Sequence, residues 1–129
     1  MRPPASPIDV RTSRVWLDAA AGVVCLKVAD GTHYDRGYAE DVMRAIDQVS
    51  AGTAHPLLID VDGYGNADSG ARQIWAAPNM RERVTSMAIV VRSPVVRVIA
   101  TFFIRVTRPT IPCAVFTTLD EALRWSRSP

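Results

Sequence analysis

The sequence predicts a single α/β domain in which helices pack on a mixed, mostly parallel β-sheet with a β-hairpin at one edge. Three observations lead to this fold class. The chain has 129 residues, which is the usual size of one domain. Apolar residues make up 48% of the chain and charged residues 22%, as is typical of a globular protein. Short apolar runs alternate with segments of helical periodicity, the order that produces parallel strands joined by helices.

The first predicted elements form the edge hairpin. Residues 14–18 and residues 23–28 are short and rich in β-branched side chains, and Gly22 lies in the loop between them. Three prolines in the first seven residues predict a flexible leader over residues 1–12, followed by the domain over residues 13–129. The leader lacks the apolar stretch of a signal peptide.

Four helices and three further strands follow the hairpin in alternation. Asp68 or Ser69 is expected to cap the second helix, and Ser93 followed by Pro94 is a typical start for the third. Thr118 and Glu121 have the spacing of a capping box at the last helix. The predicted helices cover residues 34–50, 68–77, 94–106 and 119–126, and the predicted strands cover residues 57–61, 86–91 and 112–116.

The resulting order, β-β-α-β-α-β-α-β-α, resembles that of small bacterial proteins with the SpoIIAA-like STAS fold, the fold of anti-anti-sigma factors. The likeness depends on three stretches of the chain. They are the strand over residues 57–61 that leads to Asp68-Ser69-Gly70, the segment Ser-Met-Ala-Ile-Val-Val-Arg-Ser-Pro over residues 86–94, and residues 112–125. The last two stretches are similar to an uncharacterised branch of these proteins that is also described as STAS/SEC14-like.

The resemblance implies a non-catalytic regulatory or binding module that recognises a protein partner. In anti-anti-sigma factors, a serine at the place of Asp68-Ser69-Gly70 is phosphorylated by a partner kinase, which makes Ser69 the matching candidate. The loop before it is longer and more Gly-rich than in those proteins. By this resemblance, the partner site is expected to comprise Asp62, Tyr64, Asp68 and Ser69.

The predicted helix over residues 94–106 has more apolar surface than a helix needs when it packs only one face on a sheet. Three explanations are open: cover by neighbouring parts of the chain, a second subunit, or a lipid surface. For a homodimer or another homo-oligomer, the expected interface comprises Val96, Arg97, Phe103, Ile104 and Arg105. Binding of a small apolar ligand or lipid is a further alternative.

An enzymatic alternative depends on Asp60 and Asp62, which follow an apolar run in the order Asp-Val-Asp-Gly. This pattern resembles the first motif of haloacid-dehalogenase-type phosphatases, in which one Asp is the nucleophile and the other an acid or base beside Mg²⁺. Such enzymes also need a downstream Lys, and Lys27 is the only lysine of the chain. We therefore expect no catalytic residues, and both carboxylates are predicted to stabilise a strand end and a turn.

The charge distribution and the cysteine content limit the classes of partner and the cellular compartment that the sequence predicts. Residues 1–69 hold six basic and ten acidic residues, and residues 70–129 hold nine and three, so a net charge of +2 divides into −4 and +6. The arginines are scattered, which predicts no nucleic-acid partner. Cys25 and Cys113 lack metal-ligand spacing and are expected to be reduced thiols in a cytoplasmic protein. No cofactor or metal is predicted. No transmembrane segment is predicted either, because arginines interrupt the most apolar stretch of the chain.

Overall fold

The computed structural model describes residues 7–127, in which a six-stranded sheet is packed against helices on both faces. The strands are β1 (Ile8–Val10), β2 (Ser13–Asp18), β3 (Val23–Val28), β4 (Thr32–Tyr34), β5 (His55–Val61), β6 (Gly65–Ala67), β7 (Val84–Val90) and β8 (Cys113–Phe116). The helices are α1 (Arg36–Ser50), α2 (Ser69–Trp75), α3 (Pro94–Thr107) and α4 (Leu119–Arg127), with a 3₁₀ turn at Pro78–Glu82.

The sheet combines antiparallel and parallel pairs in the order β1-β2-β3-β5-β7-β8. Strands β1, β2 and β3 are antiparallel, and β3, β5, β7 and β8 are parallel. In the hairpin, Asp18 lies opposite Val23, and Gly22 has a φ of 68°, a conformation that glycine adopts without strain. The predicted fold class is confirmed. Strands β4 and β6 form a separate two-stranded parallel sheet that was not predicted.

Strand β1 lies inside the segment that the sequence predicts to be a leader. Ile8 pairs with Val15 of β2, and the carbonyl of Val10 accepts a hydrogen bond from the Tyr38 hydroxyl at 2.9 Å. The prediction of a flexible leader over residues 1–12 is therefore wrong for residues 8–10. A strand of three residues is too short to show a periodicity in the sequence. Residues 1–6 and 128–129 lie outside the described part of the chain.

Alternate side chains of the parallel strands point to opposite faces of the sheet and build two cores. On one face, Leu26 and Leu57 belong to the larger core, which α1, α2 and α3 cover. On the other face, Leu58 and Val90 pack with Ala122 of α4. Only the β5 side chains on the first of these faces therefore lie on the side of the sheet that α3 covers.

The predicted starts of α2, α3 and α4 are confirmed, whereas α1 begins at Arg36, two residues later than predicted. The side chain of Asp68, not that of Ser69, caps α2 by accepting a hydrogen bond from a backbone amide. Ser93 caps α3, with Pro94 in its first turn. Thr118 accepts a hydrogen bond from the Glu121 amide at 3.2 Å, and its hydroxyl donates to the Glu121 carboxylate at 2.9 Å.

Candidate functional site

A cavity of about 450 Å³ lies between the sheet and α3. Alternate side chains of three neighbouring parallel strands form its floor, and the inner side of α3 forms its roof. The floor consists of Leu26, Val28, Ile59, Val61, Ile89 and Val91, and the roof of Val96, Ile99, Ala100 and Phe103. The walls are therefore aliphatic and aromatic over most of their area.

Helices α1 and α3 contact mainly the outer strands of this face of the sheet. Helix α1 packs over β1 and β2, whereas α3 contacts β8 at the other side of the sheet. Ile59 is consequently only half-buried, although it lies in the central strand. Its neighbours Leu57 and Leu58 are fully buried.

Polar groups border one end of the cavity. Asn66 of β6, Arg72 of α2 and Tyr34 of β4 lie there, next to Trp75. The Trp75 ring makes edge contacts with Tyr34 at 5.3 Å and with Phe103 at 5.9 Å between ring centroids. Because aromatic edge contacts of this kind stabilise packing, Trp75 helps to hold α2 against α3 beside the cavity.

The apolar side chains of α3 lie on both its inner and its outer side. Val96 is buried, and Phe103 and Ile104 are half-buried against the core. Arg97 and Arg105 are exposed, and a subunit interface formed by these five residues stays a prediction. We call the exposed apolar side chains the outer stripe: Val95 (68% exposed), Val98 (69%), Phe102 (62%) and Val106 (47%).

The cavity opens to solvent along one edge of α3. Phe102 and Val106 belong to the outer stripe and also border the cavity. Two side chains that line a cavity and are 62% and 47% exposed lie at its mouth. Ile59 on the floor is half-buried, so part of the floor is accessible to solvent.

The residues expected to form a partner site lie between β5 and α2. Tyr64 and Ser69 are exposed. Asp62 is also exposed, and its carboxylate pairs with Lys27 Nζ at 2.9 Å. Asp68 is half-buried and serves as the N-cap of α2. The structure thus leaves Tyr64 and Ser69 accessible and gives both aspartates a role within the chain.

Asp60 lies on the face of the sheet opposite the cavity, between two cations. It is buried, and its carboxylate oxygens accept hydrogen bonds from Lys27 Nζ at 2.9 Å and from an Arg92 guanidinium nitrogen at 2.6 Å. Burial raises the pKa of Asp60, but the hydrogen bonds and charges of Arg92 and Lys27 outweigh it, so the pKa lies below its ordinary value. Because each carboxylate oxygen already has a cationic partner, the geometry gives Asp60 a structural role.

Asp60 is expected to make the domain sensitive to acid. Because its pKa is lower in the folded than in the unfolded chain, its contribution to stability is complete above the unfolded value of about 3.9. The contribution is lost as the pH falls through the folded value. The Asp60→Asn variant should therefore lose less unfolding free energy than the wild type between about pH 6 and about pH 2, by about 1 kcal/mol.

Urea unfolding midpoints at the two pH values measure this difference. Asp120→Asn is the matched control, because Asp120 is exposed and none of the ion pairs within residues 7–127 involves it. An equal acid-induced loss in the wild type and in Asp60→Asn would contradict a stabilising role for the two cations around Asp60.

Neither thiol has the properties of a reactive cysteine. Cys25 and Cys113 are free, and burial raises the pKa of each to about 11. The charges of Asp18 and Asp60 raise the pKa of Cys25 further. Both thiols are therefore protonated at neutral pH, where the thiolate is the nucleophilic form.

Residues 15–128 match a protein family described as a domain of unknown function, DUF7793. The chain belongs to the DUF7793 family. Among curated proteins, no sequence matches it.

The fold of this DUF7793 domain is similar to a crystal structure of an uncharacterised DUF3478-family protein with a SpoIIAA-like fold from Shewanella loihica PV-4. The two chains are 12% identical, the match covers 94% of this chain and 90% of the other, and the TM-score is 0.53. The predicted resemblance to SpoIIAA-like proteins is confirmed at the level of the fold.

Sequence reasoning did not identify the residues that border the cavity of the DUF7793 domain at its polar end. Asn66, Arg72 and Trp75 are separate positions on β6 and α2, and no motif connects them. The one signal in the sequence is the apolar surplus of α3, and the subunit interface predicted from it includes Val96 and Phe103 of the cavity roof. Within residues 7–127, none of the helices is long and apolar enough to cross a membrane, and no group of three or more His, Cys, Asp or Glu residues is arranged to hold a metal ion.

Proposed function

We propose that this DUF7793 domain is a non-catalytic binding module that holds a small apolar molecule in the cavity beneath α3. The cavity itself is the observation that supports this function most strongly. Its volume of about 450 Å³ is within the usual range of small-molecule sites, which are mainly apolar and have few polar groups. The opening beside Phe102 and Val106 provides a path from solvent.

The energetics of apolar surface favour an occupied cavity. Ile59 on the floor and Phe102 at the mouth retain solvent-accessible apolar surface in this structure. A ligand that covers them removes both its own apolar surface and theirs from water. Each methylene group buried in this way contributes about 0.8 kcal/mol to binding.

The chemistry around the cavity supports binding rather than catalysis. The paired Asp60 and Lys27 lie on the opposite face of the sheet. Tyr34 borders the cavity, but its hydroxyl is hydrogen-bonded to Ser13 Oγ at 2.6 Å. Burial also raises the pKa of Tyr34, which favours the protonated hydroxyl. Among the described residues that border the cavity, there is no pair of nucleophile and general base.

Protein recognition of the kind found in anti-anti-sigma factors is the second candidate function. The exposure of Ser69 and Tyr64 favours it. Under this proposal, kinases from the source organism should label the domain with phosphate, and Ser69→Ala should prevent the labelling. Labelling that persists in Ser69→Ala, or a wild type that is never labelled, would count against a phosphorylation switch at Ser69.

Titration with N-phenyl-1-naphthylamine, an uncharged apolar dye, tests the proposed function. We expect saturable binding of one dye per chain, with stronger and blue-shifted fluorescence as the dye leaves water. Val98→Ser serves as a control on the outer stripe, because Val98 is exposed and does not border the cavity. Its dye affinity should stay within about twofold of the wild type. Non-saturable binding, or loss of binding in Val98→Ser, would place the dye on the outer stripe and contradict the proposal.

A further inference from the structure

Arg72 is the one charged side chain that borders the cavity within the described part of the chain. It is half-buried, and its guanidinium donates one hydrogen bond, to the carbonyl of Ala67 at 2.9 Å. An arginine side chain has five N–H donors in a planar arrangement. Most of the donors of Arg72 therefore have no acceptor among residues 7–127.

No anion within the described residues neutralises Arg72. The ion pairs of this part of the chain use other basic residues: Arg11, Arg14, Lys27, His33, Arg36, Arg44, Arg83 and Arg92. A half-buried cation beside apolar walls is stabilised when an anion enters its surroundings. The polar end of the cavity thus favours a ligand with a negatively charged group, while the rest favours a hydrocarbon.

We infer that the ligand is a free single-chain amphiphile with a terminal carboxylate, such as a fatty acid. Its alkyl chain lies along the floor beneath α3, and its carboxylate accepts hydrogen bonds from the Arg72 guanidinium, whose shape matches a carboxylate with two parallel bonds. A volume of about 450 Å³ is near the lower end of the range for ligand sites, which suits one chain better than the two chains of a membrane phospholipid. This inference names the ligand class and rests on the proposed function of the cavity.

Displacement of N-phenyl-1-naphthylamine from the full chain by two amphiphiles of equal length tests the inference. Dodecanoate carries a carboxylate and dodecyltrimethylammonium carries a cation, and both are used below the concentration at which they form micelles. We expect dodecanoate to displace the dye at a concentration at least about tenfold lower, because only its charge is opposite to that of Arg72.

Variants at Arg72 test the contribution of the ligand's head group separately from the contribution of its alkyl chain. Arg72→Gln should weaken dodecanoate binding about tenfold or more and weaken dye binding much less, because the dye carries no charge that Arg72 could pair with. Arg72→Lys keeps the charge and should recover part of the loss. Arg97→Gln is the matched control, because Arg97 is an exposed arginine of α3 that does not border the cavity.

The outcomes distinguish this inference from the proposed function. If the dye binds but dodecanoate shows no advantage, or if Arg72→Gln leaves dodecanoate affinity unchanged, the carboxylate assignment is overturned and the apolar site stands. Equal loss of dye and dodecanoate in Arg72→Gln would show that Arg72 supports the fold of the site and would also overturn the assignment. If neither compound binds the wild type, the proposed function fails as well.

Discussion

Ile59→Phe is expected to narrow the cavity and weaken dye binding while the domain stays folded. The Ile59 side chain points from the middle of β5 into the cavity, so the larger ring occupies empty space. Overpacking of a filled core costs about 1–3 kcal/mol, whereas a ring that enters a void avoids most of this strain. We expect at least about tenfold weaker dye binding and an unfolding free energy within about 1 kcal/mol of the wild type.

Leu58→Phe is the matched control for this variant. Leu58 precedes Ile59 in the same strand, but it is fully buried in the core that α4 covers. Replacing this aliphatic side chain by phenylalanine should reduce the unfolding free energy by about 1–3 kcal/mol and leave dye affinity unchanged. Dye titration and urea denaturation of both variants provide the comparison. Unchanged dye binding in Ile59→Phe, or equal stability losses in the two variants, would show that Ile59 does not face an open site.

Tyr38→Phe is expected to cause a large loss of stability for the removal of a single oxygen atom. The Tyr38 hydroxyl accepts a hydrogen bond from the Thr12 amide at 3.0 Å and donates one to the Val10 carbonyl at 2.9 Å. It also lies 2.8 Å from Ser13 Oγ. A buried polar group that loses its partner costs about 1–3 kcal/mol, so we expect the unfolding free energy to fall by about 2–3 kcal/mol.

Tyr64→Phe removes the same atom from an exposed tyrosine and is the control. Its hydroxyl accepts one hydrogen bond, from the Asn66 side chain at 3.1 Å, and solvent can replace that contact. We expect a loss below about 0.5 kcal/mol. Urea denaturation measures both variants, and amide hydrogen exchange at Thr12 should accelerate only in Tyr38→Phe. Equal losses in the two variants would contradict the attachment of β1 to the rest of the domain through Tyr38.

The main elements of the fold could be predicted because their signals are local. In α1, Tyr38, Val42, Ile46 and Val49 recur at helical spacing, and all four are buried. The strands β1, β4 and β6 could not be predicted in this way, because each has three residues. Their pairing also depends on distant positions, as in the contact between Thr32 of β4 and Gly65 of β6.

The site depends on tertiary relations that the sequence pattern does not contain. Apolar residues surround most of α3, so periodicity does not show that Val96 is buried and the adjacent Val95 is exposed. The cavity lies between α3 and the strands around Ile59, and its existence depends on how α3 lies on the sheet. The apolar surplus of α3 was visible in the sequence, but its division between roof and outer stripe was not.

Methyl-resolved NMR during titration with N-phenyl-1-naphthylamine shows where an apolar molecule binds to the domain. A binding site beneath α3 predicts saturable shifts of the methyl signals of Ile59, Val61 and Ile89 on the floor of the cavity. The signals of Val95 and Val98, which belong to the outer stripe and do not border the cavity, should stay in place. Shifts confined to Val95 and Val98, or no saturable shifts on the floor, would contradict a binding site beneath α3.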